Sequence, residues 1–290
     1  MPQLAILLAL GAAAAWAVGM TVAKPAVRAI DFVTYTMFRW VLVACLALGF
    51  GALTGSLAFP NWHALSLAIL AGVLDCGFGG ILYLSAMKRT SAHKATTLSS
   101  TAPLWGVLGA VLVLREPILW QTFVAAGLVI LGAVFLAERR RGTDGAESFW
   151  GDLLALMTGL LWGFAETVPA KLALDAGMTP ATMLTVFALS GAVTVVVLSP
   201  LLRRRTPRQV TQRGLALAVL SGVAGAFLGW LLWLYALQWA PASVISPIRG
   251  STLFFALFYS MVFLRERPRV RTWTGIALVA AGVLLVSFVS

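Results

Sequence analysis

Ten apolar segments, at about 4–23, 32–54, 65–87, 95–114, 118–137, 151–170, 180–200, 214–237, 242–264 and 272–289, take up most of the chain and leave short links between them. Each approaches the roughly 20 residues that a helix needs to cross a hydrocarbon core of about 30 Å. In lipid every backbone N–H and C=O must find its partner within the protein, which leaves helices or closed barrels. The segments are too long and too evenly apolar for the alternating strands of a barrel. The expectation is an all-α integral membrane protein with ten transmembrane helices. Composition agrees: 60% of the 290 residues are hydrophobic and 11% are charged, where a soluble domain carries roughly 25% charged residues.

The net charge of +11 would suggest a nucleic-acid partner in a soluble chain. Here the basic residues lie in the links, so membrane topology explains them and no nucleic-acid partner is expected. Cys45 and Cys76 lie inside apolar segments without paired or metal-binding spacing, and read as small buried hydrophobes. The first segment lacks a basic n-region and is long enough to span, so it reads as a first membrane helix rather than a cleaved signal.

The chain also repeats itself. Gly79–Glu116 and Gly229–Glu266 match without a gap at an offset of 150, with eight of 38 positions identical. Both copies close on Leu-Arg-Glu, at 114–116 and 264–266. Nearer the starts of the halves the offset is 146: Trp16 answers Trp162, and Thr21-Val22 answers Thr167-Val168. Gly132 and Gly282 match at 150 in the fifth and tenth segments. The expected organisation is a first five-helix repeat over 1–138, a linker at 139–150 and a second repeat over 151–290. Because five is odd, the second repeat must enter the membrane from the opposite face. That makes two inverted five-helix repeats with a binding site expected between them near the midplane.

These features resemble the drug/metabolite transporter superfamily, and within it the EamA-type transporters. The residues that carry the resemblance are Trp16 and Trp162 in the Ala-rich first helix and its copy, Phe38-Arg39-Trp40 early in the second helix, Tyr83-x-x-Ala86, Pro103 in the fourth helix, and the closing Glu116 and Glu266. The resemblance covers essentially the whole chain. It implies a multi-pass permease of the cell inner membrane that works on a small-molecule substrate, with the lipid bilayer as its surroundings. In small multidrug resistance relatives a first-helix glutamate couples protons; the matching positions here are Trp16 and Trp162.

Orientation draws two opposed expectations. The odd-numbered links hold seventeen lysines and arginines and the even-numbered links two, Arg115 and Lys171. The positive-inside rule then places the odd links in the cytoplasm and both termini outside. The family resemblance implies the reverse. Both readings put the two termini on one side.

Charged side chains inside a membrane helix are costly, about 2.5–3.5 kcal/mol at the helix centre on insertion scales, and therefore mark function by default. Four stand out: Arg39, Asp75, Glu166 and Arg249. Glu166 lies one turn after Trp162 with Thr167 and Pro169 beside it, and is the candidate for proton coupling and for holding a substrate ammonium; the alternative is an ion pair with Arg249 or Arg39 that locks helices. Arg249, between Pro247 and Gly250, is a candidate clamp for a substrate carboxylate, or a partner for Glu166 or Asp75. Asp75, among Gly77, Gly79 and Gly80, lines a cavity or lies hydrated near a membrane face. Arg39 reads as structural.

Aromatic residues in the inner helices form a second set: Trp16, Tyr83, Trp105, Trp162 and Trp233 are candidate substrate contacts, and Trp230 and Tyr235 lie with them. Trp62, Trp120, Trp150, Trp239 and Trp273 read as interfacial belts. Glu116 and Glu266 read as helix-end salt bridges or gate latches. His63 and His93 are isolated, and no hydrolase, zinc-protease or nucleotide-binding motif occurs. No cofactor is expected, and any accumulation must draw on an ion gradient, protons included, or on the solute's own. The functional expectation is a secondary-active transporter of a small metabolite, an amino acid or similar amphipathic solute, in the export direction and not an enzyme. An intramembrane enzyme or a non-transporting scaffold is the competing reading. A monomer or a homodimer fits equally.

Overall fold

The computed structural model describes residues 2–87, 89–90, 95, 98–117, 119–136, 148–202, 210–264 and 270–287. Every regular element among them is helical. In the first half, α1 is Pro2–Ala29 and α2 is Phe32–Leu53. α3 covers 62–87 as Trp62–Gly72, a π-helical stretch Val73–Gly79, and Gly80–Met87. α4 is Ala102–Leu112 and α5 is Trp120–Leu136. In the second half, α6 is Phe149–Asp175 and α7 is Pro180–Leu202. α8 covers 212–239 as Gln212–Leu220, a π-helical stretch Ser221–Phe227, and Leu228–Trp239. α9 covers 242–264 as Ala242–Ile245, a 3-10 stretch Ser246–Ser251, and Thr252–Leu264. α10 is Val270–Ser287.

Six of these helices, α1, α2, α3, α6, α7 and α8, contain runs long and apolar enough to cross a membrane, and α4, α5 and α10 contain shorter apolar runs. The chain is a multi-pass membrane protein. Polar side chains set several helix starts: Asp31 accepts from Thr34 N at 3.2 Å, Asn61 from Ala64 N at 2.8 Å, and Thr211 from Gly214 N at 3.1 Å. Two segments differ from the continuous helices the sequence suggests. The long regular run of the fourth begins only at Ala102, with Pro103 in the first turn where its missing N–H costs nothing. The ninth tightens to 3-10 geometry around Pro247, which cannot supply the helical donor.

Packing interleaves the halves. α1 lies against α8 and α9 of the second half, and α6 lies against α3 and α4 of the first. α2 packs on α7, and α5 on α10. The α5–α10 contact is reciprocal: a Cβ on Gly132 would lie 2.6 Å from Val279 Cγ2, and one on Gly282 would lie 2.7 Å from Val129 Cγ2. The two contacts exchange under the 150-residue offset, so the repeat is a property of the packing as well as of the sequence.

The two ends of the bundle differ. At the end that holds the even-numbered links, one apolar core runs through Ala5 and Ala9 of α1, Ala170 and Leu174 of α6, Leu234 and Leu237 of α8, and Ile245 of α9. There Ala58 N donates to Thr182 Oγ1 at 2.9 Å, across the halves. At the other end two smaller cores stand separately among the described residues. One joins Ala26, Ile30, Tyr35 and Ala218; the other joins Ala86, Ala95 and Ala155.

Candidate functional site

The three charges Asp75, Glu166 and Arg249 meet where α3, α6 and α9 come together. Two of the three local backbones depart from α-helical geometry, and the third is an α-helix with a proline inside it. Asp75 lies in the π-helical stretch of α3, a widened turn of the kind that recurs at functional sites. Pro169 in α6 lacks the N–H that would reach back to Ala165, and in the same turn Glu166 O accepts from Trp233 Nε1 at 2.9 Å. Arg249 is carried on the 3-10 stretch of α9, where Gly250 presses so closely on α5 that a Cβ would lie 1.9 Å from Val129 Cγ1.

Arg249 and Glu166 form a two-point ion pair. Arg249 Nε donates to Glu166 Oε2, and Arg249 Nη2 donates to Oε1 at 2.7 Å. Glu166 is 4% exposed and Asp75 6%, so neither carboxyl is solvated by bulk water. Asp75 Oδ1 accepts from Cys76 Sγ at 3.6 Å. Asp75 Oδ2 is buried and meets no hydrogen-bond partner among the described residues. The Asp75 carboxyl lies close enough to Glu166 and Arg249 for their charges to act on it.

Tryptophans complete the enclosure. The Arg249 guanidinium carbon is 5.7 Å from the Trp16 ring and 5.6 Å from the Trp162 ring, within cation–π range of both. Trp162 stacks on Tyr83 with ring centroids 5.2 Å apart at 44°, and Trp16 stacks on Trp233 at 5.3 Å and 48°. These are the same contact in the two repeats. So is the surface beneath each indole: a Cβ on Gly79 would lie 2.7 Å from Trp162 Cδ1, and one on Gly229 would lie 2.6 Å from Trp16 Cδ1. The indole N–H groups break the symmetry. Trp162 Nε1 donates to Asp75 O at 3.2 Å, whereas Trp16 Nε1 is buried and meets no partner among the described residues.

Seven of the eight residues that the sequence nominates for the substrate thus come together: Trp16, Asp75, Tyr83, Trp162, Glu166, Trp233 and Arg249. Trp105 donates to Thr101 Oγ1 at 3.2 Å within the start of α4, and its ring is not one of the two on Arg249. Trp230 packs on Phe187 and Trp16, and Tyr235 on Trp239. Arg39 lies over the neighbouring Trp40 ring at 4.8 Å. Trp62, Trp120, Trp150, Trp239 and Trp273 are exposed at or near helix ends, as an interfacial belt requires. Glu116 takes a different bond from the expected salt bridge. Arg115, with φ 56, turns the chain, and Glu116 accepts from Ala242 N at 2.7 Å and Ser243 N at 2.8 Å. It thereby caps the start of α9. Glu266 and His93 lie outside the described residues.

Sequence reasoning did not foresee three sets of contacts. Cys76 contacts Asp75, and Thr167 and Ser246 share a buried hydrogen bond of 3.0 Å between α6 and α9. The glycines beneath the two indoles are the third. Their identity in the repeat was visible, but its reason, a flat surface for an indole, needed the packing. The charges follow a complementary rule. At the repeat offsets Asp75 answers Gly225, Glu166 answers Met20 and Arg249 answers Ser99, so all three break the symmetry of the repeat.

The family profile of the EamA-like transporter family matches residues 3–137 and again 149–288. Over 79 residues, 27% of this chain, it is 37% identical to the probable 4-amino-4-deoxy-L-arabinose-phosphoundecaprenol flippase subunit ArnE of Yersinia pestis (strain Pestoides F), and the match spans 66% of that relative's length. It is 24% identical over 221 residues to an uncharacterized transporter of Helicobacter pylori, covering 73% of this chain and 70% of that one. One solved crystal structure superposes with a TM-score of 0.84 over 98% of this chain and 96% of the other at 17% identity, a likeness of fold.

Proposed function

The chain belongs to the EamA-like transporter family, and on that premise we propose that it is a secondary-active exporter of a small amphipathic metabolite, an amino acid or a similar solute. Ten crossings, in two inverted repeats over 1–138 and 151–290 joined by 139–150, give it alternating access. The observation that carries this reading is the buried meeting of Asp75, Glu166 and Arg249 beside Trp16 and Trp162, on helices drawn from both repeats. Beyond this cluster, at the even-link end, one core joins α1, α6, α8 and α9. Because α1 packs with α8 and α9, and α6 with α3 and α4, the bodies that move are these exchanged sets and not the two sequence halves.

The charge bias of the links favours an odd-link end that faces the cytoplasm, and the relatives' bacterial sources favour the inner membrane. The core shared by α1, α6, α8 and α9 then lies on the outward side. Mixed charges and stacked rings suit a solute with a charged group and an apolar body. The flippase named among the relatives concerns an amino sugar on a lipid carrier, which also is amphipathic. Exchange of labelled amino acids and amines in proteoliposomes tests the reading. Saturable counterflow is expected, and no flux across a broad metabolite panel overturns it.

A further inference from the structure

Arg39 of α2 and Arg249 of α9 both lie inside apolar segments, and the fold treats them differently. Arg249 spends two donors on Glu166. The Arg39 side chain makes no hydrogen bond or ion pair among the described residues, and its Nε is a buried donor without an acceptor there. A guanidinium cannot shed its charge, so it stays charged and unpaired in a medium where that is costly. Reaching out to water is the ordinary remedy, but this side chain is folded onto the core. Its guanidinium carbon lies 4.8 Å from the Trp40 ring, and Trp40 is itself buried against Phe187 of α7. Its charge also reaches Cys76 of α3, the neighbour of Asp75. The seat of Arg39 is a contact that both repeats make: α2 packs on the π-helical stretch of α8 as α7 packs on that of α3. In the α7 copy Gly191 meets Cys76 and Thr194 meets Gly77, with no charged group between them. In the α2 copy Gly222 opens the surface of α8 to the arginine stem, and a Cβ there would lie 3.7 Å from Arg39 Cγ. Tyr35, one turn before Arg39, and Ser221, beside Gly222, are bonded to each other at 2.7 Å, and Ser221 reaches Gly19 O at 3.4 Å. Gly222 stands seven residues before the Gly229 that seats Trp16, which is about 10 Å toward the odd-link end at 1.5 Å per residue. That end carries the seventeen basic residues of its links, a field that concentrates anions.

We infer that Arg39 is an oxyanion-binding site, between α2 and α8 on the odd-link side of the central cluster, which takes a carboxylate or phosphate group. The guanidinium offers a planar fork that such a group accepts at two points. No carboxylate among the described residues occupies that fork. The sequence points to Arg249 as the clamp for a carboxylate; the packing hands that role to Arg39, because Glu166 already fills Arg249. Binding neutralises one positive charge with one negative charge, and no covalent bond is made or broken. The oxyanion comes either from an organic-acid solute or from a phospholipid headgroup of the odd-link leaflet. For the solute, the inference rests on the transport reading and adds the group by which the solute is met.

The test uses the purified full chain in an uncharged detergent with three probes: 3-phenylpropionate, its neutral analogue 3-phenylpropanol, and dihexanoylphosphatidylglycerol as the lipid phosphate. The carboxylate is expected to raise the thermal midpoint saturably, and the alcohol to leave it unchanged. Arg39→Gln is expected to weaken the binding of the carboxylate at least tenfold. Arg39→Lys keeps the charge but not the fork; it is expected to weaken binding at least threefold, and it decides if the glutamine variant does not fold. If the lipid alone gives a shift that depends on Arg39, the oxyanion site stands with a headgroup as its occupant. Equal shifts from the acid and the alcohol, no shift from either anion, or a shift unchanged by substitution of Arg39 overturns the proposal. Arg39-dependent binding without flux of any solute in proteoliposomes leaves the site standing and removes the transport reading. Flux of labelled solutes without an anion-specific shift that depends on Arg39 does the reverse.

Discussion

Trp16 and Trp162, equivalent positions 146 residues apart in the chain, approach the single Arg249 guanidinium from two sides at 5.7 and 5.6 Å. A symmetric pair of rings therefore encloses a group present in only one repeat. Fold symmetry builds the enclosure, and departures from symmetry supply its chemistry.

The Glu166–Arg249 pair is buried, so removing one partner leaves the other charge uncompensated. Glu166→Ala or Arg249→Ala should each destabilise the protein by about 3–5 kcal/mol, read from thermal or denaturant unfolding in detergent. Glu166→Gln keeps the shape and one acceptor. It is expected to remain folded and to lower pH-driven transport at least tenfold. Wild-type transport across pH by that variant would make Glu166 purely structural.

Gly250 fixes how closely α9 approaches α5. A methyl group there collides with Val129, and overpacking of this kind costs about 1–3 kcal/mol. Gly250→Ala should lower the unfolding midpoint, and Val129→Ala added to it should recover most of the loss. A double variant no more stable than the single one would show that the contact is not what limits the site.

The two indoles make a controlled comparison. Trp162 Nε1 has a partner in Asp75 O, and Trp16 Nε1 has none among the described residues. Trp162→Phe should cost about 1 kcal/mol more than Trp16→Phe without ligand, the worth of one hydrogen bond. Equal losses would count against the assigned bond.

Glu116 ties the end of the first half's α4 hairpin to the start of α9. Loss of such a cap costs about 0.5–2 kcal/mol. Glu116→Ala should loosen the even-link end, and a cysteine placed at the buried Val244 should then react faster with a maleimide. An unchanged rate would leave Glu116 as a cap without a gating role.

The link charges predict that both termini lie outside the cytoplasm. A C-terminal tag should therefore be accessible from the periplasmic side of intact spheroplasts. Accessibility only after lysis would support the opposite orientation.

Much of this was legible in the chain. Apolar segment length fixes helices because lipid offers the backbone no hydrogen-bond partner, and the repeat offsets announce two related halves. Seven of the eight nominated residues cluster in the structure; they were nominated because charges inside apolar helices are costly and because the repeat places Trp16 and Trp162 symmetrically. Trp105, equally aromatic, donates its indole N–H locally to Thr101, a bond that only the structure reveals.

What the sequence by itself determined is therefore the solvent, the helices, the duplication and the identity of the unusual residues. Tertiary structure alone decided that α1 exchanges places with α6 between the halves, that Arg249 pairs with Glu166 and leaves Asp75 over, and that one end of the bundle shares a core. The physical reason is that these outcomes depend on which surfaces fit at sub-ångström distances. Periodicity and composition report whether a face is apolar, but the ring that a glycine will accommodate and the carboxyl that an arginine will reach are settled only when the helices meet.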